Sequence, residues 1–156
     1  MRALMLLVLV PMPVFAACEG ATLVSCPVGG NQLQVCNEGD LLTYSFGPPG
    51  APDLQLASRP EAAYTPWNGI GRTLWETITF TNGNVTYEVV FSVDRMDENT
   101  KPDWGVVVQD GDAIIANLTC DSQADNIPFD GLYDQITTTG LCWNRESDSW
   151  AEVCPD

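Results

Sequence analysis

The sequence predicts an all-β fold, a small antiparallel barrel or sandwich with a disulfide-tied, partly helical C-terminal extension. Three observations carry this expectation. Short runs of alternating apolar residues recur between glycine, proline and asparagine turn signals. Two Asx-Gly pairs, Asn82-Gly83 and Asp110-Gly111, each stand between two such runs. Six cysteines occur in a chain of 156 residues, an even number that reads as a disulfide framework.

Taken in order, Gln32–Cys36 and Leu41–Gly47 read as the first two strands, divided by the turn-like Asn37-Glu38-Gly39-Asp40. Gly47–Pro52 is a rigid connector, because its prolines fix backbone angles and remove donors. Asp53–Ser58 resumes a strand, with Leu54 and Leu56 alternating against polar neighbours. Leu74–Thr81 and Asn84–Val93 form a hairpin about Asn82-Gly83, whose type I′ turn would pair Phe80 with Val85 and Ile78 with Tyr87. Trp104–Gln109 and Asp112–Cys120 form a second about Asp110-Gly111. Val108 would face Ala113 and Val107 would face Ile114, apolar on both faces and therefore central in the sheet. Beyond Asp121 the character changes to an acidic extension, 121–156, containing Cys142, Trp143, Trp150 and Cys154. There Phe129, Leu132, Tyr133 and Ile136 recur at helical spacing, with Gly140 to stop the helix.

Residues 1–17 read as a secretory signal: Arg2, an apolar run over Ala3–Val10, then Pro11 and Pro13 before the small Ala16 and Ala17. The run is shorter than the roughly 20 apolar residues that span a bilayer, and no second long apolar segment follows. The remaining chain, 18–156, is expected to be one β domain with three bridges among Cys18, Cys26, Cys36, Cys120, Cys142 and Cys154, in the periplasm or outside the cell. Six cysteines allow 15 connectivities. Cys142 with Cys154 is the pairing their closeness favours. Cys18 has an alternative fate, since Ala17 before it fits a bacterial lipoprotein signal and would make the protein membrane-anchored. Parity favours the disulfide, because lipidation would leave one thiol unpaired.

A formal charge of −15, from 6 basic and 21 acidic residues, excludes nucleic acid as a partner and attracts basic proteins. Histidine is absent, which removes the Ser-His-Asp triad and the commonest metal ligand. No Cys-x-x-Cys spacing supports zinc. Carboxylates beside tryptophans, such as Glu76 next to Trp75, could serve a glycosidase, yet with so many acids such pairs arise by abundance. Asp94, Asp97 and Glu98, and again Asp121, Asp125, Asn126 and Asp130, offer oxygen ligands without the calcium-loop pattern. The reading is a protein that is not an enzyme and carries no cofactor.

Three stretches carry a family resemblance: SCPVGGNQLQVC followed by LLTYSFG, SRPEAAYTPWNGIGRTLW, and IIANLTC. Together, over Ser25–Cys120, they resemble the small periplasmic lysozyme inhibitors of Gram-negative bacteria, the C-type and I-type inhibitor families. The resemblance implies a bridge between Cys26 and Cys120. It also implies a partner-binding loop beginning at Ser58 and followed by Trp75, and within Ser58–Arg72 the interface-favoured Tyr64 and Trp67, with Arg59 and Arg72 nearby, are the expected anchors. Ser58, Ala62 and Tyr64 match the family's loop, whereas Pro60 and Glu61 stand where serine and glycine are expected. The lysine the family carries after its tryptophan is replaced by Glu76 and Thr77. The function so implied is a protein-binding module for a basic extracellular partner such as lysozyme. The alternative is a structural or accessory cell-envelope protein.

Overall fold

The computed structural model describes residues 18–122, 129 and 131–154. The signal expected over 1–17 lies outside the described residues, as do Asp125, Asn126 and Asp130. Two antiparallel sheets make the body, a sandwich-like all-β arrangement that does not close into a barrel.

The first sheet has the order β1 (Ala21–Val28), β2 (Asn31–Asn37), β3 (Leu42–Gly47), β4 (Leu54–Ser58). The expected strands did not include β1, which carries Pro27, a residue that a central strand does not tolerate. At an edge, however, proline loses only an outward N–H. Gly29 and Gly30, at φ 54° and 87°, make the two-residue turn from β1 to β2, since both positions of a type I′ turn need positive φ. Alternation then sets the faces. Val24, Val35, Tyr44 and Leu56 lie opposite one another on the inward face.

A short helix, α1 (Pro60–Ala63), turns the chain into the second sheet: β5 (Tyr64–Thr65), β6 (Thr73–Asn82), β7 (Val85–Asp94), β8 (Asp103–Asp110), β9 (Ala113–Thr119), in that order. Here both hairpin registers differ from expectation. Phe80 pairs with Tyr87 and Ile78 with Val89, so the turn is Gly83-Asn84. Gly83 has φ 63° while Asn84 does not share the positive sign, which suits a type II′ turn with glycine first. The slip is two residues, so parity survives and the same side chains face inward.

In the second hairpin Asp110 pairs with Ala113 around Gly111-Asp112, and a bulge between Val108 and Gln109 brings Val108 opposite Ala116. Correspondingly, β9 is an edge strand rather than central. Ile114 and Ile115 are 67% and 59% exposed.

The core lies between the sheets. Tyr44 crosses from β3 to meet Phe80 and Tyr87, with ring centroids 5.3 and 5.7 Å away. Burial pushes the Tyr44 phenol well above its ordinary value, with Tyr87 adding to the shift. Cys26–Cys120 staples β1 to the end of β9, as the resemblance implied, and the Asp121 N–H donates to the Pro27 carbonyl beside it.

The extension holds α2 (Leu132–Thr137) and a hairpin of β10 (Cys142–Asn144) and β11 (Ser149–Ala151), closed by Cys142–Cys154. Phe129, Leu132 and Ile136 are buried in the common core, whereas Tyr133 is exposed. Cys18 pairs with Cys36, and no described cysteine is free. Three bridges fit an oxidising compartment outside the cytoplasm. No helix among the described residues is long and apolar enough to cross a membrane.

Candidate binding surface

The segment Ser58–Arg72 divides into three environments. Ser58 closes β4, and Arg59 precedes α1, where its Nε pairs with Glu61 Oε1 at 2.6 Å. Pro60 at the first helical position is buried, which suits a residue with no N–H to satisfy. Arg59, Pro60 and Glu61 form one wall of an open groove of ≈ 630 Å³, with Leu41 from the β2–β3 turn and Gln135 from α2 opposite. Gln135 braces that groove, accepting from Asn37 Nδ2 at 2.7 Å and donating to the Gly39 carbonyl at 2.6 Å.

Tyr64 is a core residue and not the surface anchor expected of it. Only 2% of it is exposed. Its hydroxyl donates to Glu76 Oε1 at 2.7 Å, its ring stacks on Trp150, and its carbonyl accepts from Trp150 Nε1 at 2.9 Å. The hairpin β10–β11 and the middle of the predicted loop thus cover one another.

Past Pro66 the chain emerges. Trp67 Nε1 donates to the Ile70 carbonyl at 3.1 Å, and the Ile70 N–H returns to Asn68 Oδ1 at 3.0 Å, closing a compact loop. Ile70 is carried outward, 75% exposed. The β6–β7 register opposes Thr73 to Asp94, so residues before 73 must meet residues after 94. Arg72 Nε reaches Asp94 Oδ2 at 2.6 Å, and the Arg95 N–H donates to the Arg72 carbonyl at 3.2 Å.

The Arg95 guanidinium lies 4.8 Å over the Trp67 ring, a cation–π contact. Met96 next to it is 69% exposed, and Arg145 lies against Gly69. Three of the chain's 6 basic residues, Arg72, Arg95 and Arg145, therefore lie on or against the loop that carries Trp67, in a chain of charge −15.

Charge fixes this tip internally. The hydrogen bond from Arg72, then that from the Met96 N–H, holds the Asp94 carboxyl below its ordinary value of 3.8. Arg72 is correspondingly raised. Asp97 is lowered chiefly by the Asn99 N–H.

Of the predicted residues, then, Trp67 and Arg72 come together. Trp75 sits just below them on β6 opposite Ser92, half-buried, while Ser58 and Arg59 belong to the separate groove. Arg95 was missed as the partner of Trp67, and Met96 and Arg145 as neighbours of the loops around it. The hairpin register was the signal that could have found the first two. Among the described residues no group of three metal-ligating side chains comes together. No protein-family model, curated protein or solved structure matches the chain.

Proposed function

We propose that the protein is an exported, disulfide-stapled binding module that captures a basic extracellular protein, with lysozyme the leading candidate. The observation that carries this reading is the tip. An acidic molecule displays exposed Ile70 and Met96 around an arginine-stacked Trp67, on loops held by paired hydrogen bonds and an ion pair. Net charge would draw a basic partner over a Debye length of about 8 Å at physiological salt. An aromatic and arginine cluster is the kind of anchor that then gives specificity.

Insertion of the α1 segment into an enzyme cleft is a poorer reading. Pro60 is buried and Glu61 is tied to Arg59. The protein has no catalytic role in this proposal.

Titration calorimetry and lysis assays with C-type, I-type and G-type lysozymes, at low and physiological salt, test it. Expected is binding that persists at physiological salt and weakens at least tenfold in Trp67→Ala. Absence of binding at low salt, where attraction is least screened, overturns the lysozyme reading.

A second reading, an accessory envelope protein with no such ligand, draws support from the burial of Tyr64, which makes the middle of the loop structural. Binding by none of these lysozymes together with full folding of Trp67→Ala would favour it.

A further inference from the structure

Among the described residues β9 is an edge strand, and it has not a single charged residue, Ala-Ile-Ile-Ala-Asn-Leu-Thr over Ala113–Thr119, in a chain carrying 21 carboxylates. Sheet edges are ordinarily guarded by lysine, proline or extreme brevity. The other edges of the two main sheets are guarded: β1 has Pro27, β5 is two residues long, and β4 lies against β6. On β9 only the bulge serves, and Ile115 within it and Ile114 beside it remain exposed. Every second residue of such an edge points its N–H and C=O away from β8, ready to pair.

Charge brackets this neutral edge. Asp110 and Asp112 stand at the β8–β9 turn. Asp103 and Asp121 stand at the other end, where the Cys120 N–H donates to the Trp104 carbonyl. Asp110 accepts from Asn84 Nδ2 and Asp121 from the Gly29 N–H, which orient both carboxylates without neutralising them.

We infer that β9 accepts an added strand: an extended segment of a partner protein, apolar at alternate positions and flanked by lysine or arginine at both ends. The seven residues of β9 span about 23 Å at roughly 3.3 Å per residue, which sets the spacing of those flanking cations. Main-chain hydrogen bonds would hold the segment, Ile114 and Ile115 would meet its apolar side chains, and the two acidic ends would fix its placement.

A second copy of this chain is the wrong occupant. Antiparallel self-pairing about the middle of β9 would bring Asp112 of one molecule beside Asp121 of the other at both ends of the pair, and like charges so opposed destabilise a strand pair. This surface is separate from the Trp67 tip, so the two proposals fail independently.

The test uses the full disulfide-bonded chain and a synthetic peptide, Lys-Lys-Val-Thr-Val-Thr-Val-Lys-Lys, beside the same peptide with glutamates at both ends. Calorimetry and amide hydrogen exchange are the readouts. Expected is binding of the lysine-ended peptide alone, with slowed exchange in β9. Affinity should fall at least tenfold in Ile114→Lys/Ile115→Lys and severalfold in Asp103→Asn/Asp112→Asn, with unchanged melting temperatures and with no effect of Trp67→Ala. Equal binding of the glutamate-ended peptide, protection confined to other strands, or no binding at all overturns the inference. So does a dimer in sedimentation that Ile115→Lys abolishes.

Discussion

The Tyr64 hydroxyl donates to Glu76 Oε1 across the β5–β6 junction at 2.7 Å, joining the covered middle of the predicted loop to the carboxylate that follows Trp75. Removing the donor of a hydrogen bond in a largely buried setting costs about 1–3 kcal/mol, and Tyr64→Phe should lose that much in urea unfolding. Tyr64→Ala, which also empties space beside Trp150 and Phe129, should cost about 3–5 kcal/mol. If Tyr64→Phe is neutral, the pair does not stabilise the junction.

The three disulfides should rank by the loops they close. Sequence separations are 94 for Cys26–Cys120, 18 for Cys18–Cys36 and 12 for Cys142–Cys154. Chain-entropy arithmetic gives about 4.7, 3.2 and 2.9 kcal/mol respectively. Paired Cys→Ser variants, unfolded in urea, should lose stability in that order.

Asp94 gives a pH signature. Its carboxyl is held below 3.8 in the folded protein, first by Arg72 and then by the Met96 N–H. A depressed folded value means the pair's contribution is fully present above the ordinary carboxylate value. It is lost as pH falls through the lower, folded one. Carbon NMR of the Asp94 carboxyl should therefore show titration below 3.8, moving upward in Arg72→Ala. An unchanged titration in that variant would assign the effect to Met96 alone.

Gly105 and Gly83 should respond differently to alanine. A Cβ at Gly105 would collide with the Leu118 carbonyl oxygen on β9. Gly105→Ala should then cost about 1–3 kcal/mol, as other overpacked sites do, and loosen amide protection in β9. At Gly83 there is open space, and only the positive φ of 63° opposes a side chain. Gly83→Ala should cost about 1–2 kcal/mol and leave β9 unaffected.

Strand faces were legible because apolar alternation has period two, which is why the two-residue slip at Gly83-Asn84 left Ile78 and Phe80 facing inward. The position of β9 was not legible. Ile114 and Ile115 look like core residues locally, and nothing in their own run says whether a further strand lies beside them. Nor was Tyr64. Its stacking partner Trp150 stands 86 residues away on a strand of only three residues, too short to show any periodicity. Within the binding surface, Trp67 and Arg72 were visible as residue types, while Arg95 entered only through the β6–β7 register.

The long Cys26–Cys120 bridge constrains how the molecule is made. In a chain threaded amino end first, Cys18, Cys26 and Cys36 emerge together, and the proper partner of Cys26 follows 94 residues after it. Until then Cys26 has only its two neighbours to react with, and a bridge to either closes a shorter loop, which is entropically easier. A bridge from Cys26 to either neighbour would have to be undone by thiol–disulfide exchange before the native pair forms. The sandwich is locked only when the end of β9 brings Cys120 to Cys26.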